Sequence, residues 1–277
     1  MNTQPIATRY PQHFRKLTRR GLTSAALAFL LVAALLFSLH RLEFSATKML
    51  NGLSSLFEVV RLMLPPNPES WATVQRYLFA MGETVAIAFL GTLFAAIIAF
   101  PVAALAARNT TINRAVHFLA RRSFDTLRGV DILIWALVWI NVVGLGPFAG
   151  VLAIVCADIG SFGKVFSEAI EAADRKPVEG IISTGGGRLH QIRFGIIPQV
   201  LPVFLSQVLY YFESNTRSAT IIGIVGAGGI GLMLSEQIRV LEFQQVSFII
   251  LMILVTVSAI DWICSRLRFS VIGPVAH

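Results

Sequence analysis

Six apolar stretches constrain this chain more than anything else in it, at residues 21–39, 84–107, 130–143, 147–162, 198–212 and 246–264. A helix rises about 1.5 Å per residue, so roughly 20 apolar residues cross a hydrocarbon layer of about 30 Å. Helices satisfy their own backbone hydrogen bonds there, and the chain lacks the two-residue alternation of a membrane barrel. The third, fourth and fifth stretches are short by this measure, which leaves their ends open by several residues. Composition agrees, with 55% hydrophobic and 14% charged residues, about half the charge of an average soluble domain, and a mean hydropathy of +0.72. The expected fold is an all-α integral membrane protein with about six transmembrane helices.

The net charge of +8 is gathered into clusters between the apolar runs, where it reads as membrane topology and lipid contact and not as a nucleic-acid surface. Arg9, Arg15, Lys16, Arg19 and Arg20 precede the first run without an acid among them. Arg108, Arg114, Arg121, Arg122 and Arg128 fill the second connection, and Lys164, Arg175, Lys176, Arg188 and Arg193 follow the fourth run. Arg266 and Arg268 stand near the end, whereas residues 209–245 hold only Arg217 and Arg239. This alternation puts both termini in the cytoplasm and residues 40–83 in an external loop. The basic start resembles that of a signal peptide, but no small-residue cleavage site follows, so the first run is expected to stay as an anchor. The expected organisation is a basic tail at 1–20, a first helix and external loop at 21–83, a core at 84–268 and a cytoplasmic tail at 269–277.

Within the core, the connection 163–197 is too long and polar for a turn. In VEGIISTGGGRLHQIRFGIIPQVLP, beginning at Val178, Gly185 follows Glu179 by six residues and Pro198 follows Gly185 by thirteen. A helix carrying Glu179 is expected to stop at Gly185, Gly186 and Gly187, a second short helix to follow, and Pro198 to open the next span. This spacing resembles the EAA loop of ABC-importer permeases, which docks on the ATP-hydrolysing subunit. A literal Glu171-Ala172-Ala173 has Pro177 where that loop needs its glycine, so the motif is placed at Glu179.

Three further strings narrow the resemblance: IWALVWINVVGLGPFAGVLAI from Ile134, IPQVLP from Ile197, and ESNTRSATIIGIVGAGGIG from Glu213. Together they are similar to the phosphonate-transporter permease family, usually called PhnE, over most of residues 84–268. Gly186 and Gly187 stand where an Ala-Ser pair is common, and Asp131 and Ile132 where many members have Pro-Glu. The resemblance implies a type I importer permease (MetI-like) architecture in the bacterial inner membrane. It also implies two copies of an ABC ATPase, a periplasmic phosphonate-binding protein, and pairing of two copies of this chain around a pathway. It makes Glu179, Gly180, Thr184, Gly185, Arg188, Pro198 and Gln199 the coupling residues, and Glu213, Asn215, Arg217, Gly226, Gly228 and Gly229 the pathway residues. A permease for amino acids or another small solute shares the loop and stays open, as does an integral-membrane enzyme using Glu213 or Asp131.

Glu213 and Arg217 lie four apart: either they neutralise each other on one helix, or Arg217 meets the substrate anion while Glu213 orients it. Asp131 is expected near a cytoplasmic end, solvated or paired with Arg128. The phenylalanines, Trp135 and Trp139 read as packing, and Cys156 and Cys264 as buried small hydrophobes. Gly226, Gly228 and Gly231 spell GxGxxG but lack the strand context of a dinucleotide site. None of the four lysines, Lys16, Lys48, Lys164 and Lys176, ends a phosphate-binding loop, so ATP hydrolysis is expected on a separate chain, and no metal-ligand spacing links the histidines.

Overall fold

The computed structural model describes residues 19–42 and 45–272, so most of the expected basic tail at 1–20 and the last five residues of the expected tail at 269–277 lie outside it. Among the described residues every regular element is helical. The chain divides into two compact units, Met1–Arg61 and Leu62–His277.

The first unit holds α1 (Arg19–Arg41) and nearly all of α2 (Ala46–Leu62). From Leu27 to Phe37 the large apolar side chains of α1 are exposed, as suits a helix whose solvent is lipid. The residues expected to be an external loop instead contain α2 and the first turns of the next helix. Polar residues interrupt α2 often enough to keep it below the hydropathy of a span, while its apolar positions keep helical spacing.

The second unit opens with α3 (Trp71–Ala106), 36 residues capped by the Ser70 hydroxyl, which accepts from Thr73 N at 3.3 Å. It continues through α4 (Arg114–Arg128), α5 (Ile132–Val143), α6 (Pro147–Ala172) and α7 (Arg175–Ser183). A short turn, Arg188–His190, and a π-helical turn, Gln191–Ile196, lead into α8 (Ile197–Ile222). A second π turn, Gly223–Ala227, then precedes α9 (Gly229–Arg239) and α10 (Phe243–Ile272).

Among the described residues five helical runs are long and apolar enough to cross a membrane, and six if α4 and α5 count together. The expected third span lies in a bent pair: α5 has 12 residues, about 18 Å of rise, and meets α4 at a bend of 88°. Asp131 explains the break. Its carboxylate accepts from Leu133 N at 2.9 Å and caps α5, so it ends one helix direction and starts another.

The bundle is built on α3. Ala88, Ala95, Ala99, Ala103 and Ala106 are fully buried along it, and Gly91 lies so close to α6 that a Cβ there would stand 2.7 Å from the Ile154 Cβ. Small residues are what permit this approach in lipid. Toward the other end, Phe162 and Phe166 of α6 stack with centroids 5.1 Å apart, and Phe166 stacks on Phe204 of α8 at 4.2 Å. α4 crosses α6 where the Phe124 ring lies directly over Gly163 and its carbonyl over Gly160. Gly163→Val is expected to destabilise the detergent-solubilised chain by about 1–3 kcal/mol through overpacking. Its lowered melting temperature should be partly restored by Phe124→Ala. Gly180→Ala, whose Cβ would meet nothing within 4 Å, should leave melting unchanged.

Candidate functional site

The 163–197 connection is assembled from helix ends. α6 runs on to Ala172, and α7 begins two residues after Ala173 with Asp174 as its cap, the carboxylate accepting from Lys176 N at 3.1 Å. α7 stops in a Schellman turn. Gly185 N donates to Ile182 O and Gly186 N to Ile181 O, both at 2.9 Å, with Gly185 at φ +79°, a conformation that favours glycine. Thr184 closes the same turn, its hydroxyl donating to Ile181 O at 2.9 Å. The helix stop expected at the glycines is thus present, and the second short helix merges through the π turn into α8. Pro198, near the start of α8, has no N–H to give, and the wider π turn just before it accommodates that loss.

Two side chains tie this loop down. The Gln199 carboxamide accepts from Asp174 N at 2.9 Å and donates to Asp174 O at 3.1 Å and Gly195 O at 2.6 Å, joining the start of α7 to the start of α8. Arg188 reaches the turn after α3, donating to Thr110 O at 3.0 Å and also to Thr111 O. Glu171, the first residue of the literal EAA string, is engaged structurally: it accepts from Arg108 N at 2.8 Å and from Arg121 at 2.9 Å. Glu179 and Gly180, by contrast, stand exposed on α7, and Glu179 joins no ion pair among the described residues. A cleft of about 680 Å³ opens beside them, lined by Glu171, Asp174, Glu179, Arg188 and Gln191 among others.

The second group of polar residues lies on α8. Glu213 accepts from Arg217 at 3.2 Å and from Arg268 of α10 at 3.1 Å. The neutral pair expected of Glu213 and Arg217 is therefore a triad with two guanidinium groups to one carboxylate. The Glu213 side chain is 12% exposed, Arg268 30% and Arg217 50%, so the positive charges are the accessible ones. Arg268 sits on a membrane-length helix, and its guanidinium also lies over the Tyr210 ring.

Two residues after Glu213, Asn215 points into the packing. Its side-chain amide donates to Asp158 Oδ2 of α6 at 2.5 Å and to Thr92 Oγ1 of α3 at 2.8 Å. All three are buried, and Asp158 joins no ion pair among the described residues. Sequence reasoning passed over Asp158 and Thr92, although a carboxylate inside an apolar run was the available signal. Beyond α8 the glycine-rich stretch breaks the helix: Gly226, Gly228 and Gly229 have φ of +111°, +82° and +70°. Gly226 O accepts from Gly146 N at 3.0 Å, and Ile230 N donates to Thr84 Oγ1 at 2.8 Å, which docks the break against the α5–α6 turn and α3. Among the described residues no three His, Cys, Asp or Glu side chains are placed to hold a metal ion.

Residues 99–271 match the family described as the binding-protein-dependent transport system inner membrane component. The chain belongs to this family. HtxC of Stutzerimonas stutzeri, a protein whose name provisionally assigns it to phosphite transport as a permease, is 42% identical over 221 residues, 80% of this chain and 77% of HtxC. PhnE2 of Escherichia coli, provisionally named a cryptic phosphonate transport permease, is 50% identical over 117 residues, 42% of this chain and 96% of that protein. The fold is shared with a chain of the MetNI methionine ABC transporter in an inward-facing conformation, at 18% identity and a TM-score of 0.64, covering 73% of this chain and 99% of that one. The inner membrane component is a multi-pass permease subunit and not an enzyme, and as part of an ABC importer it works with an ATPase and a substrate-binding protein.

The buried contact among Asn215, Asp158 and Thr92 has a measurable consequence for this permease. Asn215→Leu leaves Asp158 buried without its donor and should cost about 1–3 kcal/mol, read as a lower melting temperature in detergent. The triple change Thr92→Val, Asn215→Leu, Asp158→Leu should cost less than that single change, because it leaves no orphaned polar group.

Proposed function

We propose that this permease carries phosphonate or a related phosphorus oxyanion such as phosphite into the cytoplasm. The observation that carries the reading is the triad of Glu213, Arg217 and Arg268. Two arginines facing one carboxylate leave a net positive charge on membrane-length helices, and guanidinium groups match the oxygens of a tetrahedral anion. The names of the two relatives, phosphite and phosphonate permeases, point to the same chemical class.

In this reading both termini are cytoplasmic, as the basic clusters favour. Residues 84–268 form the transporting core, and the 163–197 loop meets the ATPase through Glu179, Gly180, Thr184, Gly185, Arg188, Pro198 and Gln199. Two copies pair around a central pathway, served by two ATPase subunits below and a periplasmic phosphonate-binding protein above. Glu213, Asn215 and Arg217, with the break at Gly226, Gly228 and Gly229, form the moving part of that pathway. When the ATPases close, α7 is displaced, Gln199 passes the displacement to the start of α8, and α8 carries the triad between outward and inward access.

The test is ATP-driven uptake by the reconstituted complex with its loaded binding protein. Glu179→Ala and Gly185→Val should each abolish uptake while the chain still inserts and copurifies with its ATPase; unchanged uptake in both would sink the loop assignment. Arg217→Ala and Arg268→Ala should each slow oxyanion uptake about tenfold or more, the effect of losing a charge-assisted hydrogen bond of about 1.5–3 kcal/mol. Normal kinetics in both would leave the arginines a structural role only.

A further inference from the structure

We infer that α2 is a membrane-surface helix, lying along the lipid headgroup boundary with one apolar stripe sunk toward the acyl chains. The stripe is defined by spacing and exposure together. Met49, Leu50, Leu53, Leu56, Phe57 and Val60 fall within one arc of about 120° when α2 is wound at 3.6 residues per turn, with no polar residue inside that arc. All six are exposed, Leu53 at 67% and Phe57 at 72%. Asn51, Ser55 and Glu58 occupy the opposite side, and Ser55 there turns its hydroxyl onto Asn51 O at 3.1 Å.

Three observations select lipid as the occupant. α2 begins five residues after the end of α1, a helix apolar enough to cross the membrane and with none of its apolar span buried, so its first turn is held where that helix leaves the bilayer. Its 17 residues give about 25 Å of rise but carry Lys48, Glu58 and Arg61, too short and too charged to cross. A strong apolar face, a polar face and modest overall hydrophobicity are the marks of a helix that lies in the interface plane. Arg61, at the edge of the stripe, has the long stem that lets a guanidinium stay at headgroup level.

The experiment uses the full chain with its ATPase, reconstituted into vesicles of phosphatidylethanolamine and phosphatidylglycerol. Cys156 and Cys264 are first replaced by Ala, and a spin label is placed in turn at residues 48–61. Lipid-dissolved oxygen should relax labels at positions 53 and 57 most, a water-soluble nickel reagent should reach those at 55 and 58 most, and the two profiles should alternate out of phase with a 3.6-residue period. Exclusion of both reagents from 53 and 57 would overturn the inference in favour of a protein partner, either the rest of this chain or a second copy. Equal access of the nickel reagent to both faces would overturn it in favour of a helix standing in water. ATPase activity of each labelled complex confirms that the assembly being read is intact.

Discussion

Lipid is as apolar as leucine, so helices inside a membrane gain no hydrophobic free energy by meeting one another. The permease core depends on what replaces that force: surfaces that approach closely enough for dispersion to accumulate over many atoms. The buried alanines of α3, with Gly91 against Ile154 of α6, form the longest such surface, and Gly160 and Gly163 repeat the device where α4 crosses α6. Once α3 and α6 are joined this way, α8 has a groove to fill, and the aromatic stack from Phe162 through Phe166 to Phe204 fills it.

Onto this dry packing two polar groups of different character are set. Thr92, Asn215 and Asp158 join three helices through one carboxamide, which uses both of its N–H groups. Two residues before Asn215 the same helix carries Glu213, whose two arginines come from different helices and are partly open to their surroundings. A closed contact thus sits beside a partly exposed charged one, and beyond them the glycine break ends α8 and is docked against its neighbours.

Much of this was legible in the sequence. The spans at α1, α3 and α10 announced themselves by length and hydropathy and those at α6 and α8 by hydropathy alone, and the Glu179–Gly185–Pro198 spacing gave the stop of α7 because only glycine takes the left-handed turn readily. Charge counting found Arg268 but not its contact with Glu213, since a separation of 55 residues leaves no trace in local spacing. Asp131 was visible, yet its capping role emerges only when the 88° bend is seen. Asp158 went unremarked because an apolar run averages a single carboxylate away, and α2 because a surface helix dilutes the very signal that identifies a span.

The Gln199 carboxamide holds both the N–H and the C=O of Asp174, while Arg188 grips the turn that follows α3. The stretch between them is therefore a bridge with two abutments and not a pendant arm. A load placed on such a bridge is divided, and what it changes is the distance between its supports. In mechanical terms, a push on α7 arrives in the membrane as shear between α8 and α3, the two helices whose buried polar contact at Asn215 and Thr92 is the first thing that shear would strain.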